Sequence, residues 1–366
     1  MRKKEIRSIV IFAMAIVFFI SGCQTPVKPV SWTAPPNPGY TGPFLKNERL
    51  KNIETFSIGD NKGPEDVAID GQSRIYVSTH EGRIVRLQPD GSNPQNWVET
   101  GGRPLGIDFD NNGNLIVADA YRGLLSIAPD GSITELTTMA DNIPILFADD
   151  VDVAKDGKIY FSDASTKFGA KEWGGTLEAS LLDIMEHGGH GRLLVYDPVT
   201  AKTETLLDGL NFANGVAVSP DQTYVLVNET GSYRVTRYWI TGAKKGASES
   251  LIESLPSFPD NISTGLRGYY WIALVSPRNT LVDSLSGNPW VRKMISGLPE
   301  FMRPGAVKYG HIIAVDGQGN VIQDLQDSDG GYPMITSIME TEDYLYFGSL
   351  TAPHLGRISK AGLDIK

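Results

Sequence analysis

GPEDVAID (63–70) sets two acidic residues directly before a short run of alternating apolar positions, and the chain repeats this design five more times. The echoes are RPLGIDFD (103–110), FADDVDVA (147–154), FANGVAVS (212–219), FPDNISTG (258–265) and PMITSIME (333–340). Aligned on the strand, the first column reads Glu65, Leu105, Asp149, Asn214, Asp260, Ile335, and the second reads Asp66, Gly106, Asp150, Gly215, Asn261, Thr336. Equivalent positions of a repeat array become neighbours around an axis when the array closes. Closure would gather five carboxylates and two carboxamides into one small volume. Like charges at that spacing in a partly buried site repel by several kcal/mol, so the pattern predicts a hard cation at the centre.

Outward from each polar pair the units continue alike. GPEDVAID is followed by RIYVSTH (74–80), GRIVRLQPDG (82–91) and NWVETGG (96–102), and RPLGIDFD by NLIVADAYRG (114–123) and LLSIAPDG (124–131). Alternating apolar and β-branched residues between Asp-Gly and Asn-Gly turns signal antiparallel hairpins. Six units of about four strands predict an all-β, six-bladed β-propeller, with IETFSIG (53–59) completing the last blade. The 39 Gly and 22 Pro of the 366 residues suit many short strands and tight turns. A pair of β-sandwiches is the rival, and it offers no natural place for six in-register copies of one motif.

The N-terminus reads as an export signal. Arg2, Lys3, Lys4 and Arg7 precede an apolar run from Ile9 to Ile20, too short to span a bilayer comfortably. Ile20-Ser21-Gly22-Cys23 resembles the lipobox of bacterial lipoproteins, which implies that the sole cysteine, Cys23, is the lipidated first residue of the mature chain; a plain signal peptide is the alternative. The expected organisation is a signal over 1–22, a lipidated Cys and Pro-rich tether over 23–43, and the propeller over 44–366, outside the cytoplasm on a periplasmic or cell-surface membrane face. One cysteine forms no internal disulfide. The formal charge of −10 argues against nucleic acid or an anionic membrane face as the main partner.

Chain direction locates the functional rim. Each innermost strand starts at its polar pair and the next runs back, so the links between second and third strands overhang the centre. Two are long. Residues 166–190 contain TLEASLLDIMEH (176–187), with Leu177, Leu181, Ile184 and Met185 on one helical face. Residues 276–304 carry Pro289, Trp290, Met294, Leu298, Phe301 and Met302. These short helical insertions read as apolar walls of a pocket for a moderately hydrophobic small molecule, or else as a plug in the tunnel mouth.

The strings RPLGIDF, ADAYRGLL, IYFSDASTKF, GRLLVYDP, GLNFANGVAVS, NETGSYRVTRYWI, LPSFPDNIS and YLYFGSL, spread from Gly63 to Gly356, resemble the strictosidine synthase-like group, which includes the adipocyte plasma membrane-associated proteins. That group sits in a wider set of six-bladed propellers with senescence marker protein, gluconolactonases and paraoxonases. Carried over from paraoxonase-type enzymes, the resemblance implies a catalytic calcium on Glu65, Asp149, Asn214, Asp260 and Asn261, and a second, structural calcium on Asp66, Asp150 and the Ile107 carbonyl. Asp149 stands where those enzymes have Asn, and Leu105 and Ala120 stand in place of their histidine dyad. Thr336 occupies the position of the strictosidine synthase glutamate, and threonine cannot serve as the acid–base group of an amine–aldehyde condensation.

An all-oxygen ligand set favours Ca2+, with Mg2+ or Mn2+ as alternatives. The leading expectation is a calcium-dependent hydrolase of lactones or simple esters, with Asp260 transferring the proton by analogy with gluconolactonases and His80 and Glu229 at the rim as lesser candidates. A binding or scaffolding propeller with a structural ion is the alternative. His187, His190, His311 and His354 read as loop or structural residues. There is no Gly-x-Ser-x-Gly elbow and no phosphate-binding glycine loop followed by Lys.

Overall fold

The computed structural model describes residues 25–365; the export segment and Cys23 lie outside the described residues. Six four-stranded antiparallel sheets are built in chain order. Blade 1 comprises Val67–Ile69, Ile75–Ser78, Arg83–Leu87 and Gln95–Glu99; the innermost strands of blades 2 to 5 are Pro104–Phe109, Ala148–Val153, Ala213–Val218 and Ser257–Thr264. Blade 6 takes Ile335–Glu340, Tyr344–Ser349 and His354–Ser359 from the C-terminal end and its outer strand, Glu54–Ser57, from the N-terminal end. The expected six-bladed propeller and its closing strand are both present.

A blade cannot bury its two faces alone, and six of the apolar clusters are seams between neighbours. One joins Trp271, Ala273 and Leu325 of blade 5 to Ile338, Leu345 and Phe347 of blade 6; another joins Tyr76 and Ile84 of blade 1 to Val117 and Leu125 of blade 2. The buried carboxylate in the seam of blades 5 and 6 is satisfied. Glu340 accepts from Tyr269 Oη at 2.8 Å, Trp271 Nε1 at 3.0 Å and Lys360 Nζ at 2.6 Å.

The seventh cluster caps the top face: Leu105, Phe147, Phe168, Ala179 and Phe212 pack with Val27 from the N-terminal segment. Above it lie helix α1 (Thr176–Glu186), which ends where His187 turns left-handed at φ 54°, then α2 (Thr280–Ser284), capped by Asn279, and α3 (Pro289–Ser296), begun by a proline. Proline-rich residues 25–41, expected as a tether, lie on the propeller instead of leaving it. Val30 N–H donates to Glu186 O at 2.9 Å, Trp32 N–H to Ser286 O at 3.2 Å, and Arg278 Nη2 to Pro35 O at 2.7 Å.

Candidate active site

Five of the six innermost strands lose register with their neighbour near their start, that of blade 5 also between Phe258 and Pro259. The breaks fall between Pro104 and Ile107, Ala148 and Val151, Ala213 and Val216, Pro259 and Ile262, and Ile335 and Ile338. In blades 2 to 5 the residues inside the breaks are the two columns of the repeat; in blade 6 they are Thr336 and Ser337, so the pair Ile335 and Thr336 aligned from the sequence stands one residue early. A bulge puts two residues opposite one and re-aims their side chains, so in each bulged blade two consecutive residues leave the regular alternation. A regular strand would have sent the two to opposite faces.

The first column turns upward. Glu65, Leu105, Asp149, Asn214 and Asp260 line one cavity of about 1030 Å3, counting its open mouth. Its walls are Phe147, Phe212, Phe258 and Met334 from the propeller, Leu177, Leu181, Ile184 and Met185 from α1, and Pro277, Val282 and Ala306 from the second insertion. The α1 face is as the sequence predicts. In the second insertion the wall residues differ from those expected: Met294 and Leu298 are buried in its packing, while Trp290, Phe301 and Met302 are exposed and do not line the cavity.

The second column turns sideways. Asp66 Oδ2 accepts the Ile107 N–H of the next blade at 2.9 Å, and Asp150 Oδ2 accepts the Val216 N–H at 2.7 Å, with Oδ1 taking its neighbour Val151. Asp108 and Asp152 repeat this clasp one step further along, to Val153 at 2.9 Å and Val218 at 2.6 Å. The inner strands lie so close here that a Cβ on Gly106 would stand 2.6 Å from the Asp150 Cα, and one on Gly215 2.6 Å from the Asn261 Cα. Thr336 Oγ1 donates to the Glu65 carbonyl at 2.6 Å and closes the ring; it does not line the cavity. Burial pushes Asp66 up to about 7, and burial together with the Asp66 charge pushes Asp150 well above the carboxylate range.

Sequence reasoning missed Arg103. From the loop ahead of blade 2, its Nη2 lies 2.9 Å from Glu65 Oε2, both groups buried. Blade 2 offers Leu105 and Gly106 where its neighbours offer polar residues, and it supplies a guanidinium from two residues upstream. That missing acid was the available signal. On the opposite side Asn214 Nδ2 donates to Asp260 Oδ1 at 2.7 Å. Burial raises the proton affinity of Asp149 and Asp260 strongly; the charges of Asp260 and Glu65 add to it at Asp149, and that of Glu65 at Asp260. Arg103 partly offsets the rise at Asp149 and Glu65, and the Asn214 amide does so at Asp260.

These donors suit a hard divalent cation. Asn214 Oδ1 is buried without a partner, and no hydrogen bond from the described residues reaches the Asp149 carboxylate. Three carboxylates against one guanidinium leave a formal charge of −2 when all are ionised. The floor oxygens stand spread around the axis and do not form one tight knot. Among the described residues, the acidic trio whose oxygens come within 4.8 Å of one another is Glu48, Asp327 and Asp329 on the outer side of blade 5, where Lys51 lies 3.2 Å from Asp329.

The remaining candidates sit apart. His80 is exposed and outside the cavity lining. Glu229 is fully buried with its oxygens taken by Arg234 Nε at 2.6 Å, Thr236 Oγ1 at 2.7 Å and the Asn211 N–H at 3.2 Å. Asp119 and Asp163 make the same tie, to the N–H groups of Arg103 and Phe147, so these strand-end acids fasten the start of each inner strand. Asn261 is buried beside Gly215, its Nδ2 without a partner.

A six-bladed propeller with a polar floor under an apolar, helix-walled pocket defines the class. The strictosidine synthase family signature matches residues 149–243, and the strictosidine synthase-like N-terminal signature matches 42–87. The adipocyte plasma membrane-associated protein of Rattus norvegicus is 33% identical over 361 residues, covering 92% of this chain and 93% of the relative. Strictosidine synthase-like protein 6 of Arabidopsis thaliana is 38% identical over 324 residues, covering 86% and 84%. The chain belongs to the strictosidine synthase-like family. Among solved structures, a gluconolactonase from Xanthomonas campestris superposes with a TM-score of 0.62 at 17% identity over 92% of this chain and 99% of that one. A regucalcin described as a calcium-binding protein, from Agrobacterium tumefaciens, gives 0.58 at 13% identity over 84% and 93%. At those identities the likeness is one of fold. No helix among the described residues is long and apolar enough to cross a membrane.

Proposed function

We propose that this propeller is a calcium-dependent hydrolase of lactones or simple esters, anchored through a lipid on Cys23 outside the cytoplasm. The observation that carries the reading is the floor itself: Glu65, Asp149, Asn214 and Asp260 all line one apolar cavity that opens to solvent. Glu65, Asp149, Asn214 and Asp260, with Asn261 beside them, would hold the ion, and Asp66, Asp150 and the Ile107 carbonyl would hold a second, structural one. Bound at the floor, Ca2+ would polarise a substrate carbonyl and stabilise the oxyanion produced by water attack, with Mg2+ or Mn2+ as alternative ions.

The chain's own residues supply the rest. The α1 face and Phe147, Phe212 and Phe258 bind the apolar part of the substrate and exclude bulk water from the reacting carbonyl. Asp260 moves the proton: Asn214 fixes one of its oxygens and so orients the carboxylate towards the cavity. The Arg103 guanidinium holds Glu65 in place and keeps the floor from excess negative charge.

The test is hydrolysis of a panel of lactones and aryl esters by the full-length protein in detergent, with calcium, with chelator and with calcium restored. Activity lost on chelation and regained with calcium, at constant circular dichroism, supports the reading. Calcium that raises the melting temperature without turnover of any substrate supports the alternative, a binding propeller with a structural ion.

A further inference from the structure

The segment that follows Cys23 is pinned to the roof of the pocket. Thr25 Oγ1 lies 2.9 Å from Ser296 Oγ at the end of α3, Val27 is fully buried, and Lys28 N–H donates to Glu186 Oε2 at 2.7 Å. Arg292 of α3 bridges the same place, with Nη1 to Met185 O at 2.9 Å and Nη2 to Val30 O. Trp32 stacks on His187 with ring centroids 3.8 Å apart. Two residues of extended chain span about 7 Å at most. Any group that anchors the protein at Cys23 therefore enters the lipid beside α1 and α3, on the pocket face and not on the opposite face of the ring.

That face carries an apolar rim which the fold does not cover. Trp290 is 65% exposed and Phe301 87%; Leu177, which lines the cavity, is exposed, as are Leu281 and Met302, one and two residues along the chain from the lining residues Val282 and Pro304. An exposed apolar patch bordered by polar residues marks a contact surface. The charge pattern identifies the contact. Although the chain as a whole is acidic, residues 293–308 hold Lys293, Arg303 and Lys308 against Glu300 alone, Arg292 being buried in the fold. Basic residues beside exposed aromatic and aliphatic side chains suit an anionic lipid surface, where aromatic rings settle at headgroup level.

We propose that the second insertion is a membrane-docking rim: Trp290, Phe301 and Met302 enter the interface of an anionic bilayer, and the pocket mouth opens onto the lipid from which its substrate is drawn. The proposal rests on the anchoring reading of Cys23 and narrows the substrate class to amphiphilic esters or lactones that partition into membranes. It also qualifies the expectation from net charge, because the charge that meets the membrane is that of one insertion.

The test uses the full-length protein, reconstituted in vesicles of phosphatidylcholine and phosphatidylglycerol, with and without bromine at carbons 6 and 7 of the acyl chains. The emission of Trp290 is obtained as the difference between the parent and Trp290→Phe. The expected result is a blue-shifted Trp290 signal that brominated lipid quenches and that Phe301→Ser weakens at unchanged melting temperature. Vesicle-bound protein with unquenched Trp290 overturns the proposal. A blue shift that follows protein concentration instead of lipid also overturns it, in favour of a second copy covering the rim. Protein without lipid on Cys23 by mass spectrometry, left in the supernatant, overturns the anchoring and the docking together. Because no turnover is measured, quenching in a protein that hydrolyses nothing upholds the docking while the hydrolase reading fails.

Discussion

Arg103 crosses from the loop ahead of blade 2 to Glu65 of blade 1, its Nη2 2.9 Å from Glu65 Oε2, and joins the two blades at the floor of the pocket. Removing one partner of a buried ion pair costs about 3–5 kcal/mol because the other charge is left stranded. Arg103→Ala should therefore lower the melting temperature markedly in chelator, and added calcium should recover more stability in the variant than in the parent. Equal melting of parent and variant in chelator would show that Arg103 does not compensate the floor.

Asp260 stands across the floor with Asn214 on its Oδ1. Asp260→Asn keeps the shape and removes the group proposed to carry the proton. Turnover should fall by about 10²–10⁴-fold, the usual worth of general acid–base catalysis. The fold should persist, since the substitution also removes a buried carboxylate. An unchanged rate would remove Asp260 from the mechanism.

Calcium should act on stability as well as on rate. Asp149 has neighbours that raise its proton affinity and no hydrogen bond from the described residues, so a cation there relieves repulsion that the protein alone does not. Asp149→Asn should weaken calcium's effect on the melting temperature while raising stability in chelator. A variant that melts like the parent in both conditions would place the ion elsewhere.

His187 gives a pH prediction of definite sign. Burial, with the charges of Arg292 and Arg234, holds its pKa down to about 3, whereas an unfolded histidine titrates near 6.5. Between those values the unfolded state binds the extra proton, so this residue's contribution is present above pH 6.5 and is lost as the pH falls. The loss approaches about 1.4 kcal/mol per pH unit. Asp183, pushed up to about 7 by burial, acts in the opposite sense, because its folded form binds the proton first as the pH falls. His187→Asn, which tolerates the left-handed backbone there, should flatten the acid limb of a denaturation series relative to the parent. Parallel curves would show that His187 does not contribute to that limb.

The blade count, the closing strand and the α1 wall were legible because each rests on local periodicity, with period 2 in the strands and Leu177, Leu181 and Ile184 at helical spacing. The columns were legible in blades 2 to 5 and fell one residue early in blade 6, and their directions were not legible. Whether Asp149 faces a cavity while Asp150 clasps Val216 depends on a bulge defined only by pairing with the next strand. Glu229 reads like Asp260 in isolation, and only Arg234, Thr236 and Asn211 around it reveal a fastening role. Arg103 and the docking of residues 25–41 depend on contacts far apart in sequence, which no window along the chain contains. Thr25 and Ser296 are 271 positions apart.

The pairing of Glu54–Ser57 with His354–Ser359 has a consequence for the order of events in synthesis. Arg357 meets Glu54 across 303 positions of chain, so the first strand made must wait for the last. Until they meet, blade 6 lacks its outer strand, and the Thr336 to Glu65 bond that seals the inner ring has no fixed partner. The site is thus a late product of folding. A chain still emerging from the ribosome or from an export channel holds no finished floor, and long-range closure of this kind is slow. Truncation at either end should open the same seam, and both truncated proteins should lose the site before they lose the blades between.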